Sequence, residues 1–537
     1  MKLTRRARPS LAITRLVAAA VGAGTWPGVV ALCAVVLTGC AVGPNYHRPS
    51  APVPQRFKES EGWKPAEPGE AASGTDWWSV YQDATLDELE RQIDVSNQTL
   101  KASEASWRQA TALVSVARAG LFPTIGVAAT GTRSGGPGAR AGVGAGAAAA
   151  PVSHAVNQFQ LAGTASWNID LWGKIRRTIE SNVASAAASE ADLAAARLSL
   201  QALLATDYIG LRVADEQRQL LDQTVEAYKR ALEITQNRYK VGVAAKTDVV
   251  TAETQLEGAE SQQLGLGVTR ATLEHAIAVL IGKPPADFSL APAPFGTIVP
   301  VAPAGVPSSL LERRPDVAAA ERRMAAANAQ VGVAVAAYFP DLTLSGSYGF
   351  ASNVVSGLIT TPNNVWSFGG TATETLLDFG ARPAQVRQVR AAYDATVASY
   401  RETVLTAFQQ VEDELATLRI LEQQVQIQQQ AVDSANLAAQ LTLNQYKAGT
   451  VAYTSVITAQ TIALGDAQTL LTLRQSRLSA SVTLIEALGG GWTADSLGTP
   501  QGTAATLARE PSPPAPPHPT SPQTSPPQQS ARAPPTP

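Results

Sequence analysis

Two rhythms of apolar and polar positions alternate along the chain. In 158–171, Phe159, Leu161, Ala165, Trp167, Ile169 and Leu171 interleave with Gln158, Gln160, Thr164, Ser166, Asn168 and Asp170. In 341–350, Leu342, Leu344, Tyr348 and Phe350 interleave with Asp341, Thr343, Ser345 and Ser347. A period of two is the signature of a strand with one apolar face. Weaker partners at 124–133 and 365–378 complete two long hairpins. Their strands, roughly ten residues each, have the length a tilted strand needs to cross a bilayer. A soluble sandwich has the same pattern. If the strands span, Trp167, Ile169, Trp366 and Phe368 face lipid, and Ser166, Asn168 and Thr373 face a lumen. Glu374 then falls on the lipid side, near the inner rim.

The second rhythm is helical. A helix is predicted ahead of each hairpin, over 84–118 and 315–337. Thr85 and Glu88 open the first as a capping box; Pro315 and Asp316 open the second. After each hairpin comes a stretch of 68 residues, 173–240 and 380–447, rich in Ala, Leu, Gln, Glu and Arg. At 1.5 Å per residue each helix would be about 100 Å long. Both end in Tyr-Lys-x-Gly, a basic last turn followed by a glycine cap. Return helices of about 34 residues follow, capped by Thr247 or Asp248 and by Thr454 or Ser455.

These elements recur because the chain is duplicated. Asn237–Thr254 returns as Asn444–Thr461 with ten of eighteen positions identical and no gap. The same offset of 207 places Gly173 on Gly380 and Gly282 on Gly489. Upstream, Leu121-Phe-Pro-Thr matches Tyr338-Phe-Pro-Asp at an offset of 217, so the first copy holds ten extra residues between Phe-Pro and Gly. The expected organisation is a leader (1–39), an irregular arm (40–82), repeat 1 (83–282), a linker (283–308), repeat 2 (309–489) and a Pro-rich disordered tail (490–537).

Charge and composition narrow the function. The 537 residues carry 42 basic and 44 acidic side chains, but five of the basic ones lie before residue 40. The remainder is therefore acidic, and no nucleic-acid footprint follows. The glycine-rich 131–146 lacks the Lys-Ser/Thr of a phosphate loop, and reads as an outer hairpin loop. No His-Glu-x-x-His and no Gly-x-Ser-x-Gly occur, four scattered histidines make no metal cluster, and His275 reads as a structural or surface histidine. Neither an enzyme nor a cofactor is expected. Basic residues up to Arg15, an uncharged run to Gly39 and then Leu37-Thr-Gly-Cys40 read as a cleaved secretion signal. It resembles the bacterial lipobox, which implies a covalent lipid on Cys40.

Four membrane strands cannot close a barrel on their own, and an open edge in lipid is not tolerated. Several copies must therefore assemble, and three or more leave a water-filled lumen. The expectation is a conduit: a mixed α and transmembrane-β protein, with an outer-membrane barrel of four strands per chain continued by a long periplasmic helical barrel. A periplasmic coiled-coil scaffold is the competing reading, and the alternating stretches count against it.

The order lipobox, Trp77-Trp78, Leu310-Leu-Glu-Arg-Arg-Pro-Asp-Val317, Ala337-Tyr-Phe-Pro340 and two Tyr-Lys-x-Gly motifs resembles the outer membrane factor (TolC-like) family, in its lipoprotein branch. The resemblance spans about 76–490. It implies a homotrimer, a periplasmic membrane-fusion adaptor, an inner-membrane transporter of the resistance–nodulation–division type, and efflux of small molecules such as drugs; an exit duct for type I protein secretion is the alternative. It also implies that Tyr239, Lys240, Gly242, Tyr446, Lys447 and Gly449 belong to adaptor-contact tips. Tyr453, Thr454, Ser455 and Thr458 would lie at the periplasmic aperture, with three Tyr453 rings filling the throat. Thr458 and Ser455 bring no acid, so Asp248 is the one candidate near it for a charged ring.

Overall fold

The computed structural model describes residues 41–54, 56–59, 76–135, 139–140, 151–152, 155–294 and 313–492. Cys40, Leu310–Glu312 and the tail beyond 492 lie outside the described residues. Seven α-helices and six strands are described: α1 (Ala84–Ser96), α2 (Gln98–Ala119), β1 (Thr124–Ser134), β2 (Ala139–Arg140), β3 (Pro151–Val152), β4 (Val156–Ile169), α3 (Lys174–Lys240), α4 (Lys246–Leu280), α5 (Pro315–Ala336), β5 (Asp341–Ser352), β6 (Asn364–Thr373), α6 (Ala381–Ala448) and α7 (Tyr453–Ala487). No described helix is long and apolar enough to cross a membrane.

Four strands form one antiparallel sheet in the order β1-β4-β5-β6. The register puts Trp167 opposite Leu344, and Tyr348 opposite Trp366. One face therefore collects Ile125, Val127, Trp167, Leu344, Trp366 and Phe368, and the other Thr164, Ser166, Asn168, Thr343, Ser347 and Thr371. The polar face bonds to itself: Thr343 donates to Asn168 Oδ1 at 2.6 Å, and the hydroxyls of Ser347 and Ser367 meet at 2.8 Å. The apolar face is bare, with Ile125 81% and Phe368 76% exposed. The strands lie slightly off the expected spans. β4 ends at Ile169 rather than 171 and β6 at Thr373 rather than 378, because Asp170 and Asp378 turn back to cap the long helices. The Asp170 carboxylate accepts from the backbone N–H groups of Ile175 and Arg176, and that of Asp378 from Arg382. Glu374 thus leaves the sheet and pairs with Arg382 at 2.9 Å.

The helix expected over 84–118 is two helices. Asn97 breaks it, with an extended ψ of 125°. Its Oδ1 accepts from Leu100 N at 2.9 Å while its Nδ2 donates to Leu280 O at 2.7 Å. One side chain thus caps α2 and takes up a free carbonyl at the end of α4. The start of α1 is also corrected. Asp83, not Thr85, is the N-cap, accepting from the Thr85 and Leu86 N–H groups. The return helices begin at Lys246 and Tyr453 after Ala245 and Ala452, with no side-chain cap at either start. Thr247, Asp248, Thr454 and Ser455 lie inside the first turn, where helical dihedrals keep them from the capping position.

Helices α3 and α6, 67 and 68 residues long, are the two spines. Helices in folded proteins draw most of their stability from packing. Here it comes midway along the spines, where Trp77, Trp78, Leu86, Ile93, Leu204, Tyr208, Val404 and Val411 share one core. Burying an aromatic side chain of this size removes about 150–250 Å² from water.

The arm from Ala41 to Glu59 is tied along the spines by specific bonds. Val42 N donates to Trp172 O at 3.0 Å. Arg177, buried in α3, donates to Val42 O and to Asn45 Oδ1. Tyr46 donates to Glu321 on α5 at 2.6 Å, and Arg48 to the Tyr400 hydroxyl on α6. Further on, Phe57 packs edge-on against Phe408, and Arg419 pairs with Glu59. Two glycines make room: a Cβ on Gly173 would meet Ala41 Cα at 2.8 Å, and one on Gly43 would meet Gly332 Cα at 2.5 Å.

Candidate functional site

Each spine turns back at a tip. In the first, α3 ends at Lys240 and Gly242 takes φ +77°, with nothing within 4 Å of where a Cβ would sit. In the second, α6 ends at Ala448 and Gly449 takes φ +79°, its N–H donating to Tyr446 O. Both conformations belong to the left-handed region that glycine enters without steric cost.

The two tips are fastened to one another. The Arg238 guanidinium lies 4.7 Å from the centroid of the Tyr446 ring. Its Nη1 donates to Lys447 O at 3.1 Å, capping a carbonyl in the last turn of α6. Tyr446 in turn contacts Tyr453, ring centres 5.1 Å apart. Leu232, Leu443, Val451 and Ile457 pack around this pair, with Ala252 and Val456. Deeper in, Gln255 on α4 donates to Gln460 on α7. Burial pushes the Tyr453 phenol up to about 12, with the neighbouring Tyr446 and Asp248 adding to the rise and a hydrogen bond with Thr235 opposing it.

This geometry divides the expected residues. Tyr239, Lys240, Gly242, Lys447 and Gly449 are exposed at the turns. Thr454, Ser455 and Thr458 are exposed on α7, and Asp248 is half-buried in the first turn of α4. Tyr446 and Tyr453 are only 3% and 2% exposed. Tyr446 therefore offers no side chain to a partner, and the expectation that Tyr453 rings fill a throat is corrected. The ring is held in the seam between α3, α6 and α7, so its place is in the wall. Arg238 was missed by sequence reasoning, since it lies one position before the repeated tyrosine. A signal existed: the duplicate of Lys246 is Tyr453, and those of Gln236 and Ala244 are Leu443 and Val451. Only the second copy brings enough apolar side chains to bury its tip.

At the other end of the spines, the arm places its first described residue against Gly173, where strand hands over to helix. No group of three or more His, Cys, Asp or Glu side chains that would suit a metal occurs among the described residues.

The family model described as "Outer membrane efflux protein" matches residues 89–283 and 306–490. The chain is 30% identical over 468 residues to outer membrane protein OprJ of Pseudomonas aeruginosa, covering 86% of this chain and 95% of that protein. It is 28% identical over 466 residues to the toluene efflux pump outer membrane protein TtgC of Pseudomonas putida, with coverage of 86% and 95%. Among solved structures, the outer-membrane channel OprN superposes with a TM-score of 0.77 at 29% identity, over 84% of this chain and all of that one.

Proposed function

The chain belongs to the outer membrane efflux protein family, and from that premise we propose that three copies form the exit duct of a tripartite pump for small organic molecules. That it is an outer-membrane efflux channel follows from the family and from the fold shared with OprN. The observation that carries the assembly is the sheet: four strands, one bare apolar face, one polar face and two unpaired edges, β1 and β6. Lipid accepts the apolar face but not the edges, and three copies close them into twelve strands around a polar lumen. The spines all leave from the same end of the hairpins and carry the duct through the periplasm.

The tips serve as docking turns. Lys240, Gly242, Lys447 and Gly449 present small or basic groups to a membrane-fusion adaptor, and a resistance–nodulation–division transporter supplies the energy. Thr454, Ser455, Thr458 and Asp248 border the aperture. The Arg238–Tyr446 contact holds it shut, because it joins the two hairpins that must separate for it to widen. Relatives named for toluene and solvent efflux support small apolar organics as cargo. Cys40 carries covalent lipid: Ala41 and Val42 are fixed at the strand-to-helix handover, so acyl chains on the preceding residue enter the membrane beside the barrel, each CH₂ contributing about 0.8 kcal/mol.

Light scattering of the purified full chain in detergent, followed by planar-bilayer recording, tests the reading. A mass of three chains and a channel are expected. A monomer without conductance would overturn it. Mass spectrometry that finds residue 40 without an acyl group would remove the anchor alone.

A further inference from the structure

The duplicated sequence has a duplicated register. Adding 217 to β1 and 207 to β4 turns the pair Thr124–Ser166 into Asp341–Thr373, and Gly131–Phe159 into Tyr348–Trp366. Both derived pairs are the observed partners of β5 and β6. The two hairpins are therefore the same object, and they are joined inside the chain by one seam, β4 against β5. There Thr164 faces Ser347 and Gln160 faces Ala351. Where that seam reaches the helices, Trp172 stacks on Phe339, ring centres 4.7 Å apart and 23° from parallel, and donates from its indole N–H to Pro340 O.

The positions equivalent to that stack are empty-handed. The duplicate of Trp172 is Phe379 and that of Phe339 is Phe122. Phe379 is 94% exposed and Phe122 68%. Phe379 also holds φ at +49°, one of two non-glycine residues in the left-handed region among those described. That conformation costs roughly 1–2 kcal/mol, and among the described residues no aromatic partner lies against the ring to offset it. Leu376 and Leu377 beside it are bare as well.

We propose that the seam between neighbouring copies of this chain repeats its internal seam residue for residue, with β6 of one copy against β1 of the next in the register Thr371–Thr130 and Ser367–Ser134, and Phe379 stacked on Phe122. The inference rests on ring closure and adds its geometry. The derived register keeps the faces in phase: Thr371, Thr130, Ser367 and Ser134 all belong to the polar face. A slip of one residue would turn that face into lipid. On the apolar side Ala372 meets Ala129 and Gly370 meets Gly131, small against small. The two seams differ in strength. Lys174 pairs with Asp341 at the internal one, whereas the duplicates are Ala381 and Thr124. Ala41 covers Gly173, whereas nothing described lies within 4 Å of where a Cβ on Gly380 would sit. The seam between copies thus relies on strand pairing and on the phenylalanine stack.

Paired cysteines in the full chain test the register. Both native cysteines lie in the first forty residues, so the unmodified chain is the control. Directly opposite residues sit about 4.5–5.5 Å apart and can form a disulfide, whereas diagonal ones at about 7–8 Å cannot. Oxidised outer membranes carrying Thr371→Cys with Thr130→Cys should give linked multimers on a non-reducing gel. Ser367→Cys with Ser134→Cys should do the same, and Thr371→Cys with Thr132→Cys should stay monomeric. Multimers from the diagonal pair, or from neither aligned pair, overturn the register. An amine-reactive cross-linker on the unmodified chain separates the two ideas: a ring with the wrong cysteine pattern refutes the seam, and no multimer at all refutes closure. Phe379→Ala and Phe122→Ala should each lower the temperature at which the multimer dissociates, and the double variant should be no worse than the more damaging single one. Additive losses refute the stack.

Discussion

At the tip of the first repeat Lys246 reaches over the ring of Tyr239, 5.8 Å from its centre. At the tip of the second, the duplicate of that lysine is Tyr453, and it packs on Tyr446, the duplicate of Tyr239. Tyr453, Leu443 and Val451 at the second tip stand where Lys246, Gln236 and Ala244 stand at the first, and they separate a dry tip from a wet one: Tyr239 is 45% exposed and Tyr446 3%. The repeat gives two like turns: at the first the tyrosine ring stays in solvent, and at the second it is packed inside while Lys447 and Gly449 remain exposed. Arg238 crosses between the two turns and holds the dry tip in place. In the proposed gate, the buried tyrosine pair supplies the adhesion and the exposed turn residues face the adaptor.

The comparison breaks most completely at Tyr453. Tyr453→Ala empties the centre of the dry tip, at a cost of about 3–5 kcal/mol for a buried aromatic. We expect a higher single-channel conductance in planar bilayers, and antibiotic leak in cells. Unchanged conductance would mean that the dry tip does not hold the aperture.

The next test concerns the other asymmetry between the copies, the helix α1, which the described part of repeat 2 lacks. Its Glu90 is fully buried and, among the described residues, neither carboxylate oxygen has a partner. Burial, with Asp94 and Asp87 nearby, pushes its pKa up to about 9. The folded state therefore holds a proton that the unfolded chain gives up above its ordinary carboxylate range. Stability from this group is whole below about pH 4.5 and declines as pH rises towards 9, by roughly 1.4 kcal/mol per pH unit. Glu90→Gln should leave the thermal unfolding midpoint little changed near pH 4.5 and raise it increasingly towards pH 8. An equal shift at every pH would show that Glu90 is ionised in the fold.

Arg238→Ala removes a ring contact and one hydrogen bond, about 1–2 kcal/mol together. It should raise conductance less than Tyr453→Ala does, and Arg238→Lys should restore part of the loss. If Arg238→Ala leaves the channel as tight as before, the tips do not depend on one another. The smallest effect sharpens the picture. The Tyr446 hydroxyl is buried with no hydrogen-bond partner among the described residues, so Tyr446→Phe should leave conductance unchanged and stability the same or higher, since a buried unpaired hydroxyl costs about 1–3 kcal/mol. A large loss would show that the hydroxyl, and not the ring, makes the contact.

Much of the fold was legible because its signals are local. Period-two alternation fixed which side of each strand is apolar, and the offsets of 207 and 217 fixed the order of elements. The features that escaped are those settled by distant partners. Asn97 breaks a continuous helical pattern because Leu280, 183 residues away, offers it a carbonyl. The family resemblance places Tyr453 at the throat, because the second return helix lines the aperture in that family. Its burial depends on which hairpin lies within reach of the other, and only Lys246, Gln236 and Ala244 at the matching positions carried that information.

The preserved hairpin register also locates the ten residues by which the copies differ. Between Ser134 and Val156 lie 21 residues, and between Ser352 and Asn364 eleven. All of the surplus sits in the loop at the end of the hairpin opposite the helices, and none of it disturbs a strand pair. The part of this protein that meets the outside world is therefore free to lengthen, shorten and change sequence while the duct stays in frame. An epitope tag inserted in that loop is expected to leave the multimer and its conductance intact, as a non-denaturing gel and bilayer recording would show.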